Sequence, residues 1–483
     1  MLEQELLQLV KKVTSEKCEK QHIELKKAAG GTPSKLYDTL SSFSNQLDGG
    51  IIIFGIDEDA GYEVVGVYDA QDLQRKVMEQ SLQMEPVVRP LFTIAQVENK
   101  LVVSAEISEC DIYDKPCFYK GAGRLRGSYI RVGDSDQPMT EYEIYSNEAF
   151  KRRIHDELRT VDRATIENLS KDNVTEYLIK LRRQKQNLVN FEGERVLETQ
   201  GMCQDGLPTL AGLMLLSEYP QEFFPQLSVT SMVVQGKKIG ELGDDGERFI
   251  DNKRIEGTIP QMLEGTLAFV RRNMKVKTII TEEGTRADKA EYPIKAVREV
   301  ILNALIHRDY SMHTDRSPVR LVMYEDRLEL ENPGGLYGRI TVDDLGKASA
   351  DTRNPYIAGA LEIMIDTENR FSGIPTVIAE LKKAGMPTPV FIDRRGVFKV
   401  IFYKKAAAQS KDTDMEQEIL NYCITPRSRE ELAGRFRFEA PTYFIKTYIN
   451  PLLADGKIEM TMPDKPKSKF QKYYSKTQSP TPT

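Results

Sequence analysis

The apolar stretch Ile51-Ile52-Ile53-Phe54-Gly55-Ile56 follows the turn Asp48-Gly49-Gly50 and stops at Asp57. It is far too short to span a membrane, and an unbroken run bounded by turn residues predicts a strand buried in a core. A helix over Ser34 to Gln46 precedes it. Strands over Glu63 to Val67, Leu91 to Val97, Leu101 to Ile107 and Ser128 to Val132 follow, with a helix over Asp69 to Gln83 between the first two. The first block, residues 1–150, therefore reads as a mixed α/β unit.

The rest of the chain is too long for one core. Its 483 residues carry 67 Lys and Arg against 73 Asp and Glu, a net charge of −6, which at about 150 residues per domain implies about three domains. A hydrophobic content of 40% excludes a disordered chain, and the charge balance excludes a histone-like binder, so any surface for phosphates must be a local patch. Cys18, Cys110, Cys117, Cys203 and Cys423 are too scattered for a disulfide framework and show no zinc-ligand spacing. The N-terminus is an amphipathic charged helix without the apolar centre of a signal peptide, which predicts a cytoplasmic location and no membrane partner.

A charge-dense connector over residues 151–172 leads to a second block, 173–405. Its clearest helix starts at Pro293 and carries the apolar stripe Ala296, Val297, Val300, Ile301, Ala304 and Leu305 as far as about Asp309. Strands over Pro318 to Tyr324 and Arg327 to Glu331 form a hairpin across Glu325-Asp326, after helices over Val174 to Gln184, Thr209 to Ser217 and Ile259 to Arg272 and a strand over Leu227 to Val234. Residues 406–413 read as a linker, 414–476 as helix, helix, helix, hairpin, and 477–483 as a disordered tail. Within the last block, Ser428 and Glu431 have capping-box spacing. The order is that of a winged helix-turn-helix, giving an α+β multidomain chain.

In the first block, alternation along Ile23-Glu24-Leu25-Lys26 puts Glu24 and Lys26 on one face of a strand. Glu19 stands five residues earlier, and Asp57 ends the buried run. Three carboxylates and a lysine can hold Mg²⁺ or Mn²⁺ and orient a water against a phosphodiester, with the lysine stabilising developing charge. The same spacing equally suits a strand edge with a surface ion pair. The motifs Glu19 to Lys26, Ser42-Phe-Ser-Asn45, Asp48-Gly-Gly50, Gly55-Ile-Asp57, Val64-Val-Gly66 and Tyr129-Ile-Arg131-Val-Gly133 resemble, in order and spacing, the Schlafen AlbA-type domain. That resemblance implies nucleic-acid binding. Carried over by position, it makes Glu19, Glu24 and Asp57, with Asp59 close by, the carboxylates that would bind metal and cut structured RNA.

In the second block, Glu299, Asn303 and His307 follow one another at four-residue spacing on the strongest helix, so they form one row. A carboxylate there can activate water, and the amide oxygen one turn on can ligate Mg²⁺ held by ATP phosphates. The null is a solvated stripe on an amphipathic helix. The row, His307-Arg308-Asp309-Tyr310, Glu331-Asn332-Pro333-Gly334-Gly335-Leu336, Arg353-Asn354-Pro355 and Ser372-Gly373-Ile374 resemble a divergent GHKL-type ATP-binding domain, an α/β sandwich. The resemblance implies Glu299 as the base of an ATPase, and Asn303, His307, Arg308, Asp309, Asn332, Gly334, Gly335 and Gly373 as cofactor contacts. Two departures stand out: no Asp-x-Gly-x-Gly box supplies an acidic reader of the adenine amine, and Phe371 replaces a glycine before Ser372-Gly373. No P-loop motif is present.

In the last block, a helix over Thr442 to Ala454 presents Lys446 and Asn450 on its polar face, and the hairpin carries Lys465, Lys467 and Lys469, an arrangement suited to a groove and its phosphates. Two functions follow as expectations. One is an ATP-binding, nucleic-acid-binding transcriptional regulator that responds to nucleotide; the other is a Schlafen-like, metal-dependent endoribonuclease acting in antiviral defence. Both families imply a homo-oligomer.

Overall fold

The computed structural model describes residues 1–242, 246–280, 286–347, 351–365, 373–394, 396–404, 418–436, 444–454, 456–462 and 471–475. Its architecture is mixed α+β in several sheets. Among the described residues no helix is long and apolar enough to cross a membrane.

The N-terminal unit is built on a four-stranded sheet in the order Ile23–Lys26, Gly50–Phe54, Lys100–Ile107, Leu91–Val97. Its first pair is parallel and the others are antiparallel. Gly50–Phe54 is buried on both faces, as its unbroken apolar run requires. Ile52 and Phe54 pack with Leu40 and Phe43 of the Tyr37–Asn45 helix and Leu73 and Val77 of the Ala70–Ser81 helix. Ile53 points the other way, against Leu6, Val10 and Val13 of the Glu3–Glu16 helix. Asn45 ties these layers together: its amide donates to the carbonyls of Cys117 (2.9 Å) and Tyr129 (3.0 Å) and accepts from the Cys117 N–H (2.7 Å). Asn45 therefore pins the Tyr129–Val132 strand beneath the Tyr37–Asn45 helix.

The central unit has a six-stranded sheet ordered Phe249–Ile255, Val229–Val234, Val319–Met323, Arg327–Pro333, Val397–Tyr403, Val390–Arg394. Only Val229–Val234 and Val319–Met323 run parallel. Helices Ile259–Asn273, Ile294–His307 and Gly373–Lys383 share one apolar core with it. The stripe Ala296 to Leu305 is buried throughout, each large side chain contributing about 1.5–3 kcal/mol. On adjoining strands, Glu329 pairs with Arg327 (2.5 Å) and Lys399 (3.2 Å), and Lys399 also reaches Glu331 (3.4 Å). This is a two-layer α/β arrangement, as expected for an ATPase-type domain.

The helix read as running to about Asp309 ends at His307, because Arg308 turns to extended backbone (φ −52°, ψ 144°). A further helix, Glu141–Arg152, was not read from the sequence; Thr140 caps it through a box with Glu143. The connector beyond it lies against the central unit. Both oxygens of buried Glu157 accept first-turn amides of the Pro355–Met364 helix, from Tyr356 (2.9 Å) and Ile357 (2.8 Å). The C-terminal unit has helix 418–422, strand Arg427–Ser428, helix Arg429–Arg435 with the Ser428–Glu431 capping box, a helical stretch ending in Asn450–Ala454, and strands Ile458–Met460 and Lys472–Ser475. The three strands form one small antiparallel sheet.

Candidate functional site

In the N-terminal unit the alternation of Ile23–Lys26 places Glu24 and Lys26 side by side as an ion pair. Glu24 is buried, and so is the guanidinium beneath it. Arg131, on the strand pinned by Asn45, reaches Glu24 at 2.7 Å, Asp136 at 3.0 Å and Glu19 at 3.5 Å, and lies over the Phe43 ring at 5.3 Å. Asp136 is itself held by the hydroxyls of Thr39 (2.7 Å) and Ser42 (2.5 Å). Glu19 accepts the Leu25 N–H at 2.6 Å. Burial, with repulsion from Glu24, lifts the Glu19 carboxyl to about 7 despite that hydrogen bond.

The expected three-acid metal centre is not what these residues make. Asp57 closes the short strand Ile56–Asp57 and pairs with Lys27 at 2.5 Å. Lys27, followed by backbone amides at Ala60 and Asp59, holds its carboxyl below the usual range. Among the described residues, no group of three or more His, Cys, Asp and Glu side chains is arranged to hold a metal ion. The physical reason is Arg131, whose fixed charge stands where a divalent cation would be needed and already neutralises the two glutamates. With Arg131 among them, the carboxylates as arranged do not fit Mg²⁺ or Mn²⁺. Arg131 stands in the Tyr129-Ile-Arg131-Val-Gly133 motif with no local partner to reveal its role, because its pairing with Glu24 crosses more than 100 residues.

The central unit contains a cavity of about 460 Å³. Asn303 and His307 of the Ile294–His307 helix line it, as do Asn332, Gly334 and Gly335 at the end of Arg327–Pro333, and Gly373, which opens the Gly373–Lys383 helix. Glu299 lies beside it. A Cβ placed on Gly373 would stand 3.0 Å from Asn303 Nδ2 and 3.4 Å from Glu299 Oε1, so the acid and the amide converge on that helix start. Burial raises the Glu299 carboxyl and pushes the His307 imidazole down to about 4, leaving the ring neutral. Asn332 is buried, and its Oδ1 has no hydrogen-bond partner among the described residues. A buried acceptor left open beside a cavity is expensive unless something fills it. Lys347, Asp351, Thr352, Tyr337 and Phe398 also line the cavity and carried no sequence signal of their own.

Arg308 and Asp309, expected as cofactor contacts, do not line the cavity. The helix ends at His307, and the chain beyond it leaves the helix axis. Arg308 is buried and donates to the carbonyls of Thr314 (3.0 Å) and Ser317. Asp309 takes the Ser311 N–H at 2.8 Å and pairs with Arg353 at 2.8 Å. Phe371 and Ser372 lie outside the described residues, as do Lys465, Lys467, Lys469 and the linker 406–413; of Lys446 only the backbone is described. Asn450 is exposed at the start of its helix.

Residues 19–140 match the family model described as Schlafen, AlbA_2. The N-terminal unit is thus similar to the Schlafen AlbA_2 domain over those residues. Residues 316–402 match an HATPase-type model described as putative ATP-dependent DNA helicase recG C-terminal, and residues 417–474 match the C-terminal domain of filamentation induced by cAMP protein Fic-like. The central unit is thus ATPase-like, and its helix bearing Glu299, Asn303 and His307 lies before the matched span yet closes the same cavity. Among solved structures, the DIP2311 protein from Corynebacterium diphtheriae is 17% identical, covering 92% of this chain and 93% of that chain at a TM-score of 0.40. The N-terminal domain of a putative ATP-dependent DNA helicase RecG-related protein from Nitrosomonas europaea is 29% identical, covering 28% of this chain and 92% of that chain at 0.23. No curated protein matches the chain.

Proposed function

We propose that the chain is a nucleic-acid-associated regulator whose central cavity binds ATP. The observation that carries this reading is convergence: Asn303, His307, Asn332, Gly334, Gly335 and Gly373, nominated from three separate segments, line one cavity of about 460 Å³. That volume lies within the range of small-molecule sites. Asn332, on the cavity wall, carries an amide oxygen of the kind that accepts from the exocyclic amine of adenine, in place of the acidic reader missing from the sequence. The first-turn amides of the Gly373–Lys383 helix suit phosphate. Asn303 and Glu299 offer oxygens to a cation carried in with the phosphates, which is how Mg²⁺ is usually held. Bound Mg²⁺ would neutralise phosphate charge. Glu299, half-buried beside Asn303, is the residue available to orient a water.

The nucleic-acid side of the reading rests on the similarity of the N-terminal unit to the AlbA_2 domain and on reading the C-terminal helices and small sheet as a winged helix, with Asn450, Lys457 and Lys472 exposed. Binding without cutting is favoured by the closed Glu19–Glu24–Arg131 cluster. The test is titration of the purified chain with a fluorescent ATP analogue and Mg²⁺, then DNA and RNA binding with and without nucleotide at several salt concentrations. The expected result is saturable nucleotide binding, lost in Asn303→Ala, and a nucleotide-dependent change in nucleic-acid affinity. No saturation by the wild type at millimolar nucleotide sinks the proposal.

A further inference from the structure

The helix Glu141–Arg152 lies between the two larger units and is moored to both. On the N-terminal side, Glu148 pairs with Arg124 at 2.7 Å and Phe150 stacks on Tyr113 at 5.4 Å. On the central side, Phe150 meets the edge of Tyr337, a cavity-lining ring, at 5.3 Å. Tyr142 goes further in. Its hydroxyl donates to Asp309 Oδ2 at 2.8 Å, the same oxygen that Arg353 Nη1 reaches at 2.8 Å.

Asp309 and Arg353 are the supports of the glycine strip that floors the cavity. The Asp309 N–H donates to the Pro333 carbonyl at 3.0 Å, and Arg353 donates to the Gly335 carbonyl at 3.3 Å. Gly334 has φ +104°, and a Cβ there would lie 2.6 Å from both Arg353 Nη1 and Asp309 Cβ, so backbone and supports are in direct contact. The Gly334 N–H donates to the Gly396 carbonyl at 2.7 Å. Gly396 in turn faces the Tyr142 ring, where a Cβ would come within 2.4 Å. Tyr142 therefore touches the strip's holders from two sides, with its ring at Gly396 and its hydroxyl at Asp309.

We propose that Tyr142 is a positioning residue for the cavity floor, acting through Asp309 and Arg353, so that nucleotide binding and the seating of the AlbA_2-type domain on the Glu141–Arg152 helix are one linked equilibrium. The inference rests on the reading of the cavity as a nucleotide site and names how that site is regulated. Arg353, Asp309 and Tyr142 form a chain with no exposed step, in which Asp309 stays charged: burial works against the carboxylate, but Arg353, Ser311 and Tyr142 together hold it below its ordinary value. Close-packed contacts of this kind transmit small shifts rather than absorbing them. By reciprocity, the factor by which nucleotide changes the affinity of the N-terminal domain for its ligand is the factor by which that ligand changes nucleotide affinity.

The experiment uses the full chain, the same fluorescent ATP analogue with Mg²⁺, and hydrogen exchange across Glu141–Arg152. In the wild type, nucleotide should slow exchange along that helix. Tyr142→Phe should weaken nucleotide binding about tenfold and leave helix exchange unchanged by nucleotide, whereas Lys151→Ala, exposed on the same helix, should behave as wild type. Should Tyr142→Phe not fold, Phe150→Leu provides the second reading, with the same loss of nucleotide-dependent protection expected. Wild-type affinity together with wild-type protection in the variant that folds overturns the coupling while leaving the nucleotide site intact. A wild type that binds no nucleotide, by contrast, overturns both.

Discussion

The N-terminal charged cluster and the central cavity are built from the same kinds of group, acids and amides brought together from distant segments, and they end in opposite states. Around Glu19 and Glu24 the protein supplies its own cation, and every charge is answered by Arg131, Lys26 or Lys27. Around Asn303 and Asn332 the groups line a cavity instead, with Lys347 on its wall and Asn332 Oδ1 without a hydrogen-bond partner among the described residues. A closed set stabilises a fold, whereas an open set costs stability until a ligand answers it. Residue types in the right order are therefore insufficient evidence for a reactive centre; the location of the counter-charge decides.

The largest effect expected from this contrast is on Arg131. Arg131→Met leaves two buried glutamates without their main cation, a loss of about 3–5 kcal/mol. The N-terminal transition in a thermal melt should fall by on the order of 10 °C, and Glu24→Gln in the same chain should restore part of it. A melt unchanged by Arg131→Met would mean the cluster is solvated and the two regions are not opposites. In the cavity the signs split. Asn332→Ala should weaken nucleotide binding by about 1.5–3 kcal/mol, roughly ten- to a hundredfold, while leaving the ligand-free melting temperature the same or higher, because it removes an unpaired acceptor. A drop in ligand-free stability would show that Asn332 is already satisfied.

The pH response separates the regions more finely. Burial lifts Glu19 from 4.5 to about 7, so the folded chain keeps a proton there that the unfolded chain releases. Stability from this group is full below about pH 4.5 and is lost as pH rises through about 7. The amount is about 1 kcal/mol, well under the full value of such a shift because the site keeps contact with solvent. Glu19→Gln should flatten the fall of the N-terminal melt between pH 5 and pH 8 by that amount and leave nucleotide affinity alone. A slope unaltered by the substitution assigns the titration elsewhere, with Glu157, also raised to about 7 by burial, the next group to replace.

Much of the geometry was legible because it is local. Alternation along Ile23–Lys26 placed Glu24 beside Lys26, Ser428 and Glu431 announced a helix start, and four-residue spacing aligned Glu299, Asn303 and His307. What could not be read is what comes from across the chain. Arg131 approaches Glu24 only because Asn45 pins its strand under another helix, and Arg353 meets Asp309 only after the sheet has folded. The Glu141–Arg152 helix was hidden for another reason: Tyr142, Tyr145 and Phe150 serve two neighbours, so its surface shows charge without one apolar stripe. The end of the helix was set two residues late, at about Asp309, because the apolar stripe does not show where the backbone turns away after His307.

The smallest effect is the one that most directly tests whether the N-terminal cluster is closed. Lys27 is exposed, and its pairing with Asp57 at 2.5 Å is a surface contact screened by solvent, so Lys27→Ala should move the melt by only about 1–2 °C. It does, however, release Asp57 from its only side-chain cation among the described residues, the condition most favourable to recruiting a metal. Melts of wild type and Lys27→Ala with and without millimolar Mn²⁺ should then superimpose, because Arg131 still holds Glu19 and Glu24. A Mn²⁺-dependent rise in Lys27→Ala that disappears on adding Asp57→Ala would show the three acids meeting on a cation, and would turn the closed cluster into a latent metal site gated by one lysine.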